Sequence, residues 1–132
     1  MALQYSTTHR TNAMQDIVTQ AGATSHILIY TGTPPANCAT AATGTLLATL
    51  PCSATFGTVT SGVLTAGAIT SATAAGTGTA GYWRLCTSSA GTTVVSQGLC
   101  GTSGSDLNLN STSISSGQTV AISSFVITAF GA

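Results

Sequence analysis

HILIYTGTPPANCATAATGTLLATL, residues 26–50, sets two apolar runs on either side of a turn-rich loop. The first run, Ile27-Leu28-Ile29-Tyr30, is β-branched and aromatic and reads as a buried strand. Thr-Gly-Thr and the pair Pro34-Pro35 then interrupt the chain, and Leu46-Leu47-Ala48-Thr49-Leu50 begins a second strand. The pattern on either side of this stretch differs. Before it, Ala13, Met14, Ile17, Val18 and Ala21 recur at helical spacing, which predicts a helix over 7–21 capped by Ser6 or Thr7 and ended by Gly22. Residues 1–6 read as an extended arm.

After it, strands are predicted near 53–59, 63–69, 80–86, 92–99, 105–110 and 119–129, besides 26–31 and 45–50. Short strands at this spacing give a mainly β fold, a sandwich or barrel, and the lack of helices between them favours antiparallel pairing. The low-complexity segment 71–79 fits a flexible loop or a plain edge strand. In the last strand Val120 and Ile122 alternate, Ser123-Ser124 intervenes, and Phe125, Ile127 and Ala129 alternate again, so the inward set shifts by one residue. Such a shift requires a β-bulge or a bend at the serine pair. Val126 and Phe130 fall on the opposite face, which predicts a strand that is buried twice or meets a partner.

The 132 residues fit one domain, and their composition narrows the function. Charged residues make up 3% of the chain, against roughly 25% in an average soluble protein. They are Arg10, Asp16, Arg84 and Asp106, with formal net charge zero. Two arginines are too few for the counterion release that drives nucleic-acid binding. No apolar run approaches the roughly 18 to 20 residues that span a bilayer, and the N-terminus lacks the pattern of a signal peptide. A Thr/Ser/Ala/Gly-rich surface without charge gives little protection against association and suits close packing on other protein.

Nothing in the sequence assembles a catalytic site. His9 and His26 are the only histidines and Asp16 and Asp106 the only carboxylates, no GxSxG elbow occurs, and GTGTAG at 76–81 lacks the lysine of a phosphate loop. No enzyme, cofactor or metal is expected. Cys38, Cys52, Cys86 and Cys100 form two pairs of equal spacing, without the CxxC knuckles of a zinc site. They read as free thiols acting as small hydrophobes, with disulfides of unassignable connectivity as the alternative. In Tyr82-Trp83-Arg84-Leu85, alternation puts Trp83 and Leu85 on one face and Tyr82 and Arg84 on the other. The pair Tyr82 and Arg84 is either an exposed neighbour of a core Trp or a contact patch, and Arg84 and Asp106 are candidates to pair. Tyr5, Pro34, Pro35 and Phe130 complete the candidate protein-interface residues, and segments 1–6 and 31–44, which carry the first three, are expected to order against neighbouring subunits.

Three passages together resemble a family of small virion structural proteins of tailed bacteriophages. They are MALQYSTTHRTNAMQDIVTQAGAT running into the 26–50 stretch, TAGYWRL at 79–85, and DLNLNSTSISSGQTVAISSFVITA at 106–129. The resemblance implies a capsid decoration or cement protein with an antiparallel β-sandwich of jelly-roll type and one short N-terminal helix. It also implies a major capsid protein as partner, in an HK97-like shell, with copies of itself alongside; no nucleic acid or membrane partner is expected from the charge and hydropathy above. The expected location is the capsid surface of a virion assembled in the host bacterial cytoplasm. A tail or fibre component is the runner-up, and a carbohydrate-binding module using Tyr82, Trp83 and the 31–44 loop is a reading from another class.

Overall fold

A computed structural model describes residues 3–132 and shows one helix and a mainly β chain. Helix α1 spans Thr7–Ala21. Ser6 caps it by accepting from the His9 N–H at 3.1 Å, and Gly22 ends it at φ +71°, a conformation that side chains rarely adopt. The strands in chain order are β1 (His26–Thr31), β2 (Leu46–Pro51), β3 (Gly57–Thr60), β4 (Val63–Ala66), β5 (Ala72–Thr73) and β6 (Gly78–Cys86). They continue as β7 (Val94–Gly101), β8 (Leu107–Leu109), β9 (Ser113–Ile114), β10 (Thr119–Val120) and β11 (Ile122–Thr128). Of the arm predicted over 1–6, Met1 and Ala2 lie outside the described residues, and 3–6 run extended to the helix cap.

The strands form one curled sheet in the order β2-β1-β6-β7-β8-β11-β4-β3, with β9 beside the start of β6 and a separate β5-β10 ladder. Pairing is antiparallel except between β7 and β8, which run parallel with Cys100 opposite Leu107 and Gly101 opposite Asn108. The expectation of antiparallel pairing therefore needs this correction: the sheet is mixed. The cause is local. After Gly101 the chain turns through Gly104 at φ +72°, and Asn108 clamps the return, accepting from the Ser105 N–H at 3.1 Å and donating to the Ser105 carbonyl at 3.0 Å. The loop completes a full circuit, and β8 leaves it in the direction of β7.

The curl buries the core between two walls. On β1 and β6 the inward residues face one another in register, Ile27 against Leu85 and Ile29 against Trp83, with Leu50 and Ala48 opposite them on β2. The far wall contributes Phe125 of β11 and Phe56 from the approach to β3. Phe125 meets Trp83 edge-on at 4.7 Å and Phe56 at 5.6 Å, so one aromatic chain ties the walls together. Val18 and Ala21 of α1 complete this core, with Met14 and Ile17 packed at its rim. The ladder between β11 and β8 slips between Ile122 and Ser124, at the serine pair where the alternation of the sequence shifts. A break at Ala121 separates β10 from β11, and each half of this last strand finds different partners. No helix among the described residues is long and apolar enough to cross a membrane.

Removing the ring that joins the walls is expected to be costly. Phe125→Ala should lower stability by about 3–5 kcal/mol, read as a reduced urea midpoint with an unchanged slope.

Candidate functional site

The outer face of β1, β6 and β7 carries the residues that the core leaves out. Leu28 and Arg84 sit opposite each other across one pair of strands, Tyr30 and Tyr82 across the same pair, and Arg84 faces Gln97 of β7. The two tyrosine rings stack at 5.1 Å, 11° from parallel. This face is covered. The 32–45 loop folds back over it and is bonded to it side chain by side chain. Tyr82 donates its hydroxyl proton to the Thr43 carbonyl at 2.6 Å and accepts from the Thr43 N–H at 3.0 Å. Gln97 donates to the Pro35 carbonyl at 2.9 Å, and its own amide oxygen accepts from Arg84 Nε at 3.1 Å. Arg84 Nη2 reaches the Thr40 carbonyl at 2.6 Å and the Asn37 carbonyl at 3.5 Å. Asn37 shapes the turn, its side-chain oxygen accepting from the Ala39 and Thr40 N–H groups and the Thr40 hydroxyl, each at 3.0 Å.

Several expectations change accordingly. Tyr82 is 0% and Arg84 3% exposed, so neither lies on a free surface; both hold the loop from beneath. The 31–44 segment orders on its own sheet, because Tyr82, Arg84 and Gln97 satisfy its backbone, and Pro34 and Pro35 are half-buried within it. Arg84 bonds to neutral groups, and the exposed Asp106 is not among its partners. Trp83 points into the core and donates from Nε1 to the Leu99 carbonyl at 3.1 Å, so neither it nor Tyr82 offers a ring face to a sugar. Sequence alternation separated the two faces of β6 correctly. The signal for the covered second face was the Tyr-x-Arg pair itself, in a chain with almost no other charge.

Tyr5 and Phe130 do come together. The Tyr5 N–H donates to the Gly131 carbonyl, their rings lie 6.4 Å apart, and the Tyr5 ring also tilts over His9 at 4.6 Å. Phe130 is 83% exposed, so its meeting with Tyr5 leaves an apolar patch in the open. A cavity of about 170 Å³ opens beside it, lined by Tyr5, His9, Met14 and Phe130 among others.

A larger cavity, about 430 Å³, lies between the 38–42 part of the covering loop and the 90–94 segment, over Tyr30 and Arg84. The four cysteines are free. Burial pushes the thiols of Cys52 and Cys100 up to about 11 and raises that of Cys86, which the Arg84 charge only partly offsets. Burial also raises the Tyr30 phenol, against the same Arg84 charge. Among the described residues no group of three or more His, Cys, Asp or Glu side chains could hold a metal ion. No family model, curated protein or solved structure matches the chain.

Two outcomes are expected. Tyr82→Phe should cost about 1 kcal/mol and speed proteolysis within 36–43, with the far-ultraviolet circular dichroism unchanged. Second, folding raises the Cys52 and Cys100 thiols above their ordinary value of 9.0, to about 11. Unfolded thiols release their protons first as pH rises, so stability should be fully present below about 9 and fall between about 9 and 11, measured by denaturant midpoints.

Proposed function

We propose that this chain is a structural virion protein that binds the outer surface of a phage capsid and cements neighbouring capsid subunits. The observation that carries the reading is the surface. Arg84 is buried, which leaves Arg10, Asp16 and Asp106 as the charges near water, and the Tyr5–Phe130 junction adds an exposed apolar patch. A surface of this kind binds protein by apolar burial and neutral hydrogen bonds. At roughly 25 cal/mol per Å² of apolar area, a small cluster gives a weak contact. Repetition on a symmetric shell turns weak contacts into firm attachment through avidity.

The resemblance of the 1–50, 79–85 and 106–129 passages to small virion proteins supports the same assignment, with the major capsid protein and further copies of this chain as partners. We read the two facing walls, joined through Trp83 and Phe125, as the jelly-roll type of sandwich that this resemblance implies. The terminal cluster is the contact with the shell. Tyr82 and Arg84 contribute indirectly, by fixing the shape of the loop that carries Pro34 and Pro35.

A ligand of the assembled lattice stabilises that lattice by mass action. Phage heads stripped of the protein should melt at a lower temperature and recover on adding it back, with little change between about 0.05 and 0.5 M salt. Phe130→Asp should weaken rebinding at least tenfold while the isolated protein keeps its melting temperature. Heads that melt alike with and without the protein would overturn the assignment, and a few copies confined to tails would move it to the tail.

A further inference from the structure

Arg84 holds the only cation in the β region, and its surroundings do not neutralise it. The side chain is 3% exposed, and all of its hydrogen-bond partners are neutral: the Gln97 amide oxygen and the Thr40 and Asn37 carbonyls. The two carboxylates of the chain, Asp16 and Asp106, are exposed on α1 and at the start of β8. Nε and Nη2 are engaged, whereas Nη1 makes no hydrogen bond and yet is not among the polar atoms sealed from solvent. Arg84 lines the cavity of about 430 Å³. The volume lies within the range of small-ligand pockets, about 300–1,000 Å³. The lining mixes apolar and polar groups: Tyr30, Val94 and the alanines of the two lips, with Thr40 and Thr92 among them.

A buried guanidinium without an anion is costly, and with Nε and Nη2 engaged, Nη1 is left to donate one charge-assisted hydrogen bond to a carboxylate oxygen. The charge to be matched is one. A singly charged acid leaves the site neutral, whereas a phosphate dianion would leave one charge uncompensated there. We propose that this cavity binds a monocarboxylate with a short apolar body, the carboxylate on Arg84 Nη1 and the body between Tyr30 and the alanine lips. A free small acid and the C-terminal carboxylate of another chain share this chemistry. The site does not depend on where the protein assembles.

The test titrates the full chain with sodium butyrate, its neutral isostere butyramide, and sodium phosphate at constant ionic strength. The readouts are the Arg84 side-chain Nε–H resonance and the melting temperature. Butyrate should saturate the resonance shift and raise the melting temperature, butyramide should do neither, and phosphate should bind at least tenfold more weakly. Arg84→Gln removes the cation but also two anchors of the loop, so Ala42→Phe and Ala90→Phe, one on each lip, test the cavity with Arg84 in place. Each should weaken butyrate at least tenfold. A short peptide with a free C-terminal carboxylate, compared with its amide, identifies the source: binding of the acid form points to a chain end, and binding of butyrate alone to a small molecule. Equal responses to butyrate and butyramide, phosphate as strong as butyrate, no saturable response, or full binding by both lip variants would each overturn the proposal.

Discussion

The antiparallel pairing of β1 with β6 puts two chemistries back to back, and the remainder of the molecule is arranged around that fact. One face of the pair presents Ile27, Ile29, Trp83 and Leu85, which only a second wall of the sheet can cover. The other presents Leu28, Tyr30, Tyr82 and Arg84, which need apolar cover and hydrogen-bond partners together. A second sheet would supply the first and not the second. A loop rich in backbone carbonyls and alanine supplies both, and residues 32–45 are such a loop. Buried polar groups are tolerated when each finds a partner, and Tyr82 and Gln97 find theirs in loop backbone.

How far the sequence reveals this depends on the range of the cause. Helix α1 matches its predicted bounds because its signals are local: Ser6, the apolar spacing from Ala13 to Ala21, and Gly22. The first two strands and the slip at Ser123-Ser124 were legible for the same reason, through alternation within a few residues. The two-residue strand β9 was not, since Ser113-Ile114 carries no period and pairs only because the curl brings an edge to it, while β5 falls in the 71–79 segment that reads as a loop or an edge strand. The parallel step from β7 to β8 escaped because it rests on a side-chain clamp, Asn108 on Ser105, that no periodicity encodes. For the candidate interface residues, polarity pointed outward for Tyr82 and Arg84, while the cover that buries them comes from about forty positions earlier in the chain. Tyr5 and Phe130 were named separately, and their junction at opposite ends of the sequence emerges only from the fold.

The economy of charge has a structural side as well as a surface one. With no lysine or glutamate, the chain cannot discourage edge pairing by lining its outer strands with charge, a common device in β proteins. It uses geometry instead. Backbone bonds from Ala75 to Leu47 and from Thr70 to Pro51 cover part of the free edge of β2. Edges closed by neighbouring backbone remain closed whatever the ionic strength, which suits a protein whose surface has little charge to screen.

The broken last strand has a consequence for the order in which the molecule can form. Its first half, Thr119–Val120, pairs with β5 near one end of the sheet, and its second half, Ile122–Thr128, lies between β8 and β4 near the other. During synthesis from the N-terminus, β4, β5 and β8 all precede the segment that joins them. Until about residue 128 has left the ribosome, β4 and β8 lack the strand between them, Trp83 lacks the Phe125 ring, and the apolar faces of both walls stand open. The last strand thus completes the ladder and the core together, and a chain that still lacks it leaves apolar surface open to its neighbours.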